Sequence, residues 1–154
     1  MTTGQIIGII IAVAVILVLI YIFTTYNSLV KLKNKVEEAF STMDVYLKKR
    51  WDLIPNIVST VKGYAKHEAE TLENVIQARN SNYQNMSEEE KIEANASISK
   101  SIPNFSVLAE QYPDLKANQN FLDLSSQLKS VENDIANARK YYNAVVRQYN
   151  NKIE

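Results

Sequence analysis

The stretch IIGIIIAVAVILVLIYIF, from Ile6 to Phe23, decides how the rest of this chain is read. From Met1 to Val30 there is no Asp, Glu, Lys or Arg, and the first charged side chain is Lys31. A helix rises about 1.5 Å per residue and a hydrocarbon core is about 30 Å thick. A charge-free apolar run of about 18 or more residues therefore has the length of a membrane-crossing helix. The expectation is a short tail over residues 1–5, a transmembrane helix over 6–25 and a cytoplasmic helical bundle over 26–154. Ile6, Ile10, Val13, Leu17, Ile20 and Phe23 are the expected membrane-spanning positions. A cleaved signal peptide fits less well, because no basic residue precedes the run and Tyr21-Ile22-Phe23-Thr24-Thr25-Tyr26 is a poor cleavage site. A buried core helix is rarely apolar on every side over this length.

At the C-terminal boundary of the run, Tyr21, Phe23 and Tyr26 place amphipathic rings where a bilayer interface favours them. Lys31, Lys33 and Lys35 follow, and basic flanks hold their side of a span in the cytoplasm. The expected topology is a single pass through the bacterial inner (cell) membrane, N-terminus outside and the main region inside.

The remaining composition is that of a helical protein. Seventeen basic and seventeen acidic side chains cancel, which gives no electrostatic case for nucleic acid. The absence of cysteine excludes disulfides, thiolate nucleophiles and cysteine-held metals. Three glycines and three prolines are too few breakers for a strand-rich fold. Leu29, Leu32, Val36, Phe40, Met43 and Leu47 recur at helical spacing, so the span is expected to continue as one helix to Trp51, about 70 Å from Gly4. Asp52-Leu53-Ile54-Pro55 reads as a break, with Asp52 as the N-cap of a second helix. That helix carries Ile54, Ile57, Val58, Val61, Ala65, Leu72, Val75 and Ile76 on one face. Residues 80–85 are polar and read as a loop, and Ser87 with Glu90 forms a capping box. A third helical region carries Ile92, Ala96 and Ile98, is interrupted at Pro103, and ends at Tyr112-Pro113-Asp114. The last helix has Phe121, Leu124, Leu128, Val131, Ile135, Ala138, Tyr142, Val145, Val146, Tyr149 and Ile153 as its stripe. The fold class is all-α: an antiparallel, coiled-coil-like four-helix bundle with helices near 26–51, 53–79, 88–111 and 118–153.

Four blocks of sequence carry a resemblance. They are residues 43–58, beginning Met43-Asp44-Val45-Tyr46; Val61-Lys62-Gly63-Tyr64-Ala65-Lys66-His67-Glu68; residues 112–121, beginning Tyr112-Pro113-Asp114; and Arg139, Tyr142, Asn143, Tyr149, Asn150 and Asn151. Together they resemble the LemA family over nearly the whole chain. The resemblance implies a bacterial inner-membrane protein with a cytoplasmic helical bundle; it does not imply an enzyme, since the family's role is largely undefined. Some members are similar to proteins that build magnetosome membranes, and others are encoded beside membrane metalloproteases. Relatives usually continue past the position of Ile153 with an aromatic-Pro segment, whereas this sequence stops at Glu154, as a trimmed chain or an unusual member would.

Candidate chemical groups are few. His67 is the sole histidine, and its neighbour Glu68 points about 100° away on a helix, so the two cannot share a ligand. The residue three before His67 is Tyr64, so the Glu-x-x-His pattern of di-iron bundles is absent. Glu68 lies in register with Ala65 and Leu72, while Asp44, Arg50, Arg79, Glu132 and Arg139 flank their stripes. These six form either an inter-helix polar network or a set of solvated flank charges. Lys48-Lys49-Arg50 reads as a solvated face. Tyr141 and Tyr142 cannot share one narrow face, which offers one of them to a partner. No catalytic residue, metal or cofactor is expected. The expected function is a membrane-anchored, non-enzymatic scaffold that self-associates and organises or remodels membrane. Its expected partners are the lipid bilayer, further copies of itself and a membrane protein. The alternative is an adaptor of a membrane protease or envelope-stress system. Glu68→Gln separates network from flank: a loss of unfolding free energy well under about 1 kcal/mol in urea titration identifies a solvated charge.

Overall fold

A computed structural model describes residues 2–77, 79, 82–102 and 104–154. The elements are α1 (Thr3–Lys62), a 3-10 turn at Lys66–Glu68, α2 (Ala69–Gln77), a second 3-10 turn at Tyr83–Asn85, α3 (Glu88–Ser101), α4 (Phe105–Gln111), α5 (Pro113–Lys116) and α6 (Gln119–Ile153). No strand occurs among the described residues. The expected loop at Asn80-Ser81 and the interruption at Pro103 lie outside them.

Helix ends follow local chemistry. Ser87 Oγ accepts from the Glu90 amide at 3.2 Å, and Glu90 Oε2 accepts from the Ser87 amide at 2.7 Å, so the capping box is present. Asn104 Oδ1 accepts from the amides of Ser106 and Val107 to start α4, and Asn118 Oδ1 accepts from the Phe121 amide to start α6. Pro113 opens α5, where its missing N–H costs nothing.

The expected break at Asp52–Pro55 does not occur. α1 runs through Pro55 and stops at Lys62, ahead of Gly63. Proline in a helix interior removes one backbone bond and costs about 3 kcal/mol. Two effects offset this here. Trp51, Ile54, Ile57, Val58 and Val61 are all buried, each worth about 1.5–3 kcal/mol when fully covered. The Trp51 carbonyl, deprived of an amide from residue 55, accepts instead from Arg79 Nε at 2.8 Å. Asp52 is no N-cap; it pairs with Lys48 one turn back on the same helix.

The chain forms two compact units. One comprises residues up to Ala39 with Tyr142–Glu154, and the other comprises Phe40–Tyr141. Within Phe40–Tyr141 the helices alternate in direction. Lys62 pairs with Glu73 and Arg79 reaches Trp51, so α2 runs back along α1. Asp44 meets Lys91 and Arg50 meets Asn95, so α3 runs forward again. Asn118 donates to the Tyr64 hydroxyl and Glu132 meets Arg50, so α6 descends. Met43, Leu47, Ile54, Leu72, Val75, Ile98, Leu115 and Val131 are buried between them. The antiparallel bundle is thus present, with its first reversal at Gly63–Ala65 rather than at Pro55.

In the other unit, Ala39 and Val145 are buried and Leu29, Leu32, Val36, Tyr142, Val146 and Tyr149 are half-buried. Ile153, expected on the stripe, is 57% exposed. From Ile6 to Phe23 the large apolar side chains are all exposed within the chain. By length and composition this part of α1 can cross a membrane.

Arg79→Ala is expected to destabilise the protein by about 1–3 kcal/mol, because it leaves the Trp51 carbonyl without a partner. In a Pro55→Ala background the residue 55 amide takes over that carbonyl, and the same substitution is expected to cost about 1 kcal/mol less. Urea unfolding of the four proteins of this cycle measures the coupling.

Candidate functional site

The Phe40–Tyr141 unit holds its polar side chains in two neighbouring clusters along α1. The first is built on Asp44. Its Oδ1 accepts from the Tyr83 hydroxyl at 2.6 Å and its Oδ2 from Lys91 Nζ at 2.7 Å. Lys91 Nζ also lies 5.2 Å from the centre of the Tyr83 ring. Tyr83 packs on Trp51 with ring centroids 5.1 Å apart, and the Arg79 guanidinium lies 5.6 Å from the centre of the Trp51 ring. The 3-10 turn is what turns Tyr83 inward, and Asn82 caps that turn by accepting from the Gln84 amide. Burial, followed by the hydrogen bond and negative charge of Asp44, pushes the Tyr83 hydroxyl well above the ordinary tyrosine range.

The second cluster is built on Arg50, 3% exposed. Its Nη1 donates to the Asn95 carbonyl at 3.2 Å. Its Nε lies 2.8 Å from Glu132 Oε1, an ion pair by distance. The N–H is not aimed along that line, so Nε itself has no hydrogen bond among the described residues. Burial lowers the Arg50 pKa, Glu132 opposes that, and the nearby Arg139 charge adds to it. Asn95 is wholly buried; its Nδ2 donates to the Lys91 carbonyl at 3.0 Å and thereby joins the two clusters through α3.

Of the six residues expected to form a network, Arg50 and Glu132 meet directly. Asp44 and Arg79 are drawn instead to Tyr83, Lys91 and Trp51. Arg79 Nη2 also stands 3.8 Å from Asp52. Arg139 is exposed and acts on Arg50 as a nearby positive charge. Glu68 is half-buried in the 3-10 turn and has no ion pair among the described residues. The reversal after Gly63 breaks the periodicity that placed it on a stripe. His67 is exposed on the same turn. Tyr141 is 48% exposed, while Tyr142 is half-buried and engaged within the chain.

Sequence reasoning missed Tyr83, Lys91 and Asn95, the three side chains that complete these clusters. A lone aromatic inside the polar run 82–85 was the one available signal for Tyr83. Asn95 stands one turn before Ser99 and three residues before Ile98, which aligns it with the buried face of α3.

The geometry is that of a structural core. Both Asp44 oxygens are occupied, and the Tyr83 proton is held too tightly for a general base near neutrality. Among the described residues, no group of three or more His, Asp or Glu side chains converges as a metal site would require. Two surface grooves adjoin the clusters. One of about 270 Å³ is lined by Lys48, Trp51, Asp52, Arg79, Asn82, Tyr83 and Gln84. The other, about 410 Å³, is lined by apolar Ile102, Phe105 and Leu128 together with polar side chains that include Lys129 and Glu132. A larger concavity of about 530 Å³ lies on the flank of the apolar helix between Leu19 and Tyr26, with almost no polar lining.

The LemA family profile matches residues 39–154, which contain both clusters. The chain belongs to the LemA family. It is 28% identical over 129 residues to Protein LemA of Metamycoplasma hominis, a match covering 82% of this chain. The chain spans 58% of that relative's length. The family assignment carries no statement about activity.

The raised Tyr83 pKa has a measurable consequence. Below about pH 10 the hydroxyl keeps its proton in both folded and unfolded chains. Above that, the unfolded chain releases the proton while the folded chain retains it, so stability falls as pH rises. Urea midpoints of the full chain in detergent, taken near about pH 9 and about pH 11, should differ less for Tyr83→Phe than for the parent protein. An equal pH dependence would place the titration elsewhere.

Proposed function

We propose that this protein is a non-enzymatic, single-pass membrane scaffold that self-associates and organises or remodels the bilayer around it. One observation carries the reading: the apolar part of α1 is wholly uncovered by the rest of the chain, and the same unbroken helix continues as the first helix of the bundle. Side chains such as Ile10, Leu17 and Leu19 are each about 60% exposed (62%, 61% and 60%), a surface that water does not tolerate and lipid does. Lys31, Lys33 and Lys35 favour a cytoplasmic bundle with the N-terminus outside the inner membrane.

Self-association has support in the shape of the apolar helix. Gly4, Gly8 and Ala12 recur at four-residue spacing, and open space surrounds the position of a side chain at either glycine. Small residues at that spacing let a second helix approach closely. Exposed Val45 (64%) and Tyr141 (48%) on the bundle favour a second reading, an adaptor that holds a different membrane protein.

Full-length protein extracted into native bilayer discs is expected to give particles holding several copies by mass, and reconstituted vesicles are expected to change shape on electron micrographs. Protein that stays monomeric in both discs and detergent would overturn self-association. Discs carrying one copy with a different protein would establish the adaptor.

A further inference from the structure

The unit formed by residues up to Ala39 and Tyr142–Glu154 holds a charge pattern that the proposed scaffold role does not use. It takes α1 up to Ala39 and α6 from Tyr142, with Ala39 and Val145 buried and Leu32, Val36, Val146 and Tyr149 half-buried. Two segments cover one another's apolar stripe in this way when they run side by side. If the unit's two boundary residues, Ala39 and Tyr142, are taken as level, five further residues of α6 bring Arg147 level with about Asn34, and ten bring Lys152 level with about Leu29. Lys31, Lys33, Lys35, Arg147 and Lys152 then fall within about 9 Å along the helix axis.

All five side chains are exposed. Lys33 lies 3.7 Å from Glu37, a surface pair 66% and 62% exposed, and the other four have no ion pair among the described residues. No Asp or Glu occurs from Thr24 to Val36, and Glu154 is the sole acid from Tyr142 to Glu154. The apolar run ends at Phe23, and residues 24–28 supply Thr, Tyr, Asn and Ser at the depth of lipid headgroups. The basic level begins a few ångströms beyond, within about one Debye length of about 10 Å. Ile153 at the same end of α6 is an exposed apolar side chain, 57% accessible.

We propose that α6 returns to the bilayer surface, and that Lys31, Lys33 and Lys35 of α1 with Arg147 and Lys152 of α6 form one basic collar for the headgroups of anionic phospholipids. The collar rests on the membrane-spanning reading of α1 and is independent of self-association. Its α6 members distinguish it from the lysines that flank any span, because they are more than 110 residues away in sequence and arrive at this level through the fold alone. A headgroup phosphate among several cations on two helices is held by charge at short range, and a zwitterionic headgroup much less so.

The test uses the full-length protein in bilayer discs made from equal amounts of phosphatidylglycerol and phosphatidylcholine. Mass spectrometry then counts the lipids that remain with the protein on gentle release into detergent. Phosphatidylglycerol is expected to be enriched over its supplied share. The preference is expected to fall about five-fold for each cation removed in Arg147→Gln and Lys152→Gln, singly and together, and to fall in high salt. Lys129→Gln, about 27 Å farther back along α6 from Arg147, is expected to leave it unchanged. Retained lipid in the supplied ratio would overturn the collar. So would a preference that survives Arg147→Gln/Lys152→Gln, which would assign it to the α1 lysines alone. Particle mass on the same samples reports self-association separately. Protein that fails to enter the discs would overturn the membrane-spanning reading and the collar with it.

Discussion

The Trp51 carbonyl is the point on which the bundle turns. Proline at position 55 leaves that oxygen with no amide from its own helix, and the Arg79 side chain supplies the missing donor. The bond joins Arg79, just past the end of α2, to the last quarter of α1 and sets the return leg of the hairpin. It also brings the guanidinium over the Trp51 ring and the following 3-10 turn against Asp44. A residue that would end a helix elsewhere is retained because the carbonyl it orphans, that of Trp51, finds a donor 28 residues on. Burial of Trp51, Ile54, Ile57 and Val58 around it opposes any alternative path.

The buried polar clusters determine which helices face one another. A desolvated guanidinium such as Arg50 adds little net stability when paired, because removing it from water offsets most of the attraction. Removing its partners leaves a buried charge uncompensated, which is far costlier. Arrangements in which α3 and α6 fail to bring the Asn95 carbonyl and Glu132 to Arg50 are therefore excluded. Asn95 contributes twice, through its carbonyl to Arg50 and through its amide to the Lys91 carbonyl. Apolar stripes alone would allow the helices to slide or exchange places, and these directional contacts do not.

Much of the frame was legible in the amino-acid order, and the departures have definite causes. The stripes on α1 and α6 are buried or half-buried where expected, Ile153 excepted, because helical periodicity needs nothing distant to form. The Ser87–Glu90 capping box is equally local. The first reversal was misplaced because the rule against interior proline is local, whereas the donor that satisfies Trp51 lies in another helix. Glu68 lost its place for the complementary reason: Gly63 ends α1, and residues beyond it no longer share its register. Tyr83 lay within a polar run that reads as solvent-exposed loop, and a single tight turn buries it.

The apolar, charge-free run, the all-helical class, the positions of the stripes and the family are all readable from the order of residues, because these rest on side-chain type, short-range spacing and likeness to related chains. The tertiary structure alone decided where α1 ends and which polar groups enter the core. Those outcomes depend on whether a donor and an acceptor far apart in the chain meet within hydrogen-bonding distance, as Arg79 and the Trp51 carbonyl do at 2.8 Å. Distance in sequence carries no such information; only the packing of one helix on another creates it.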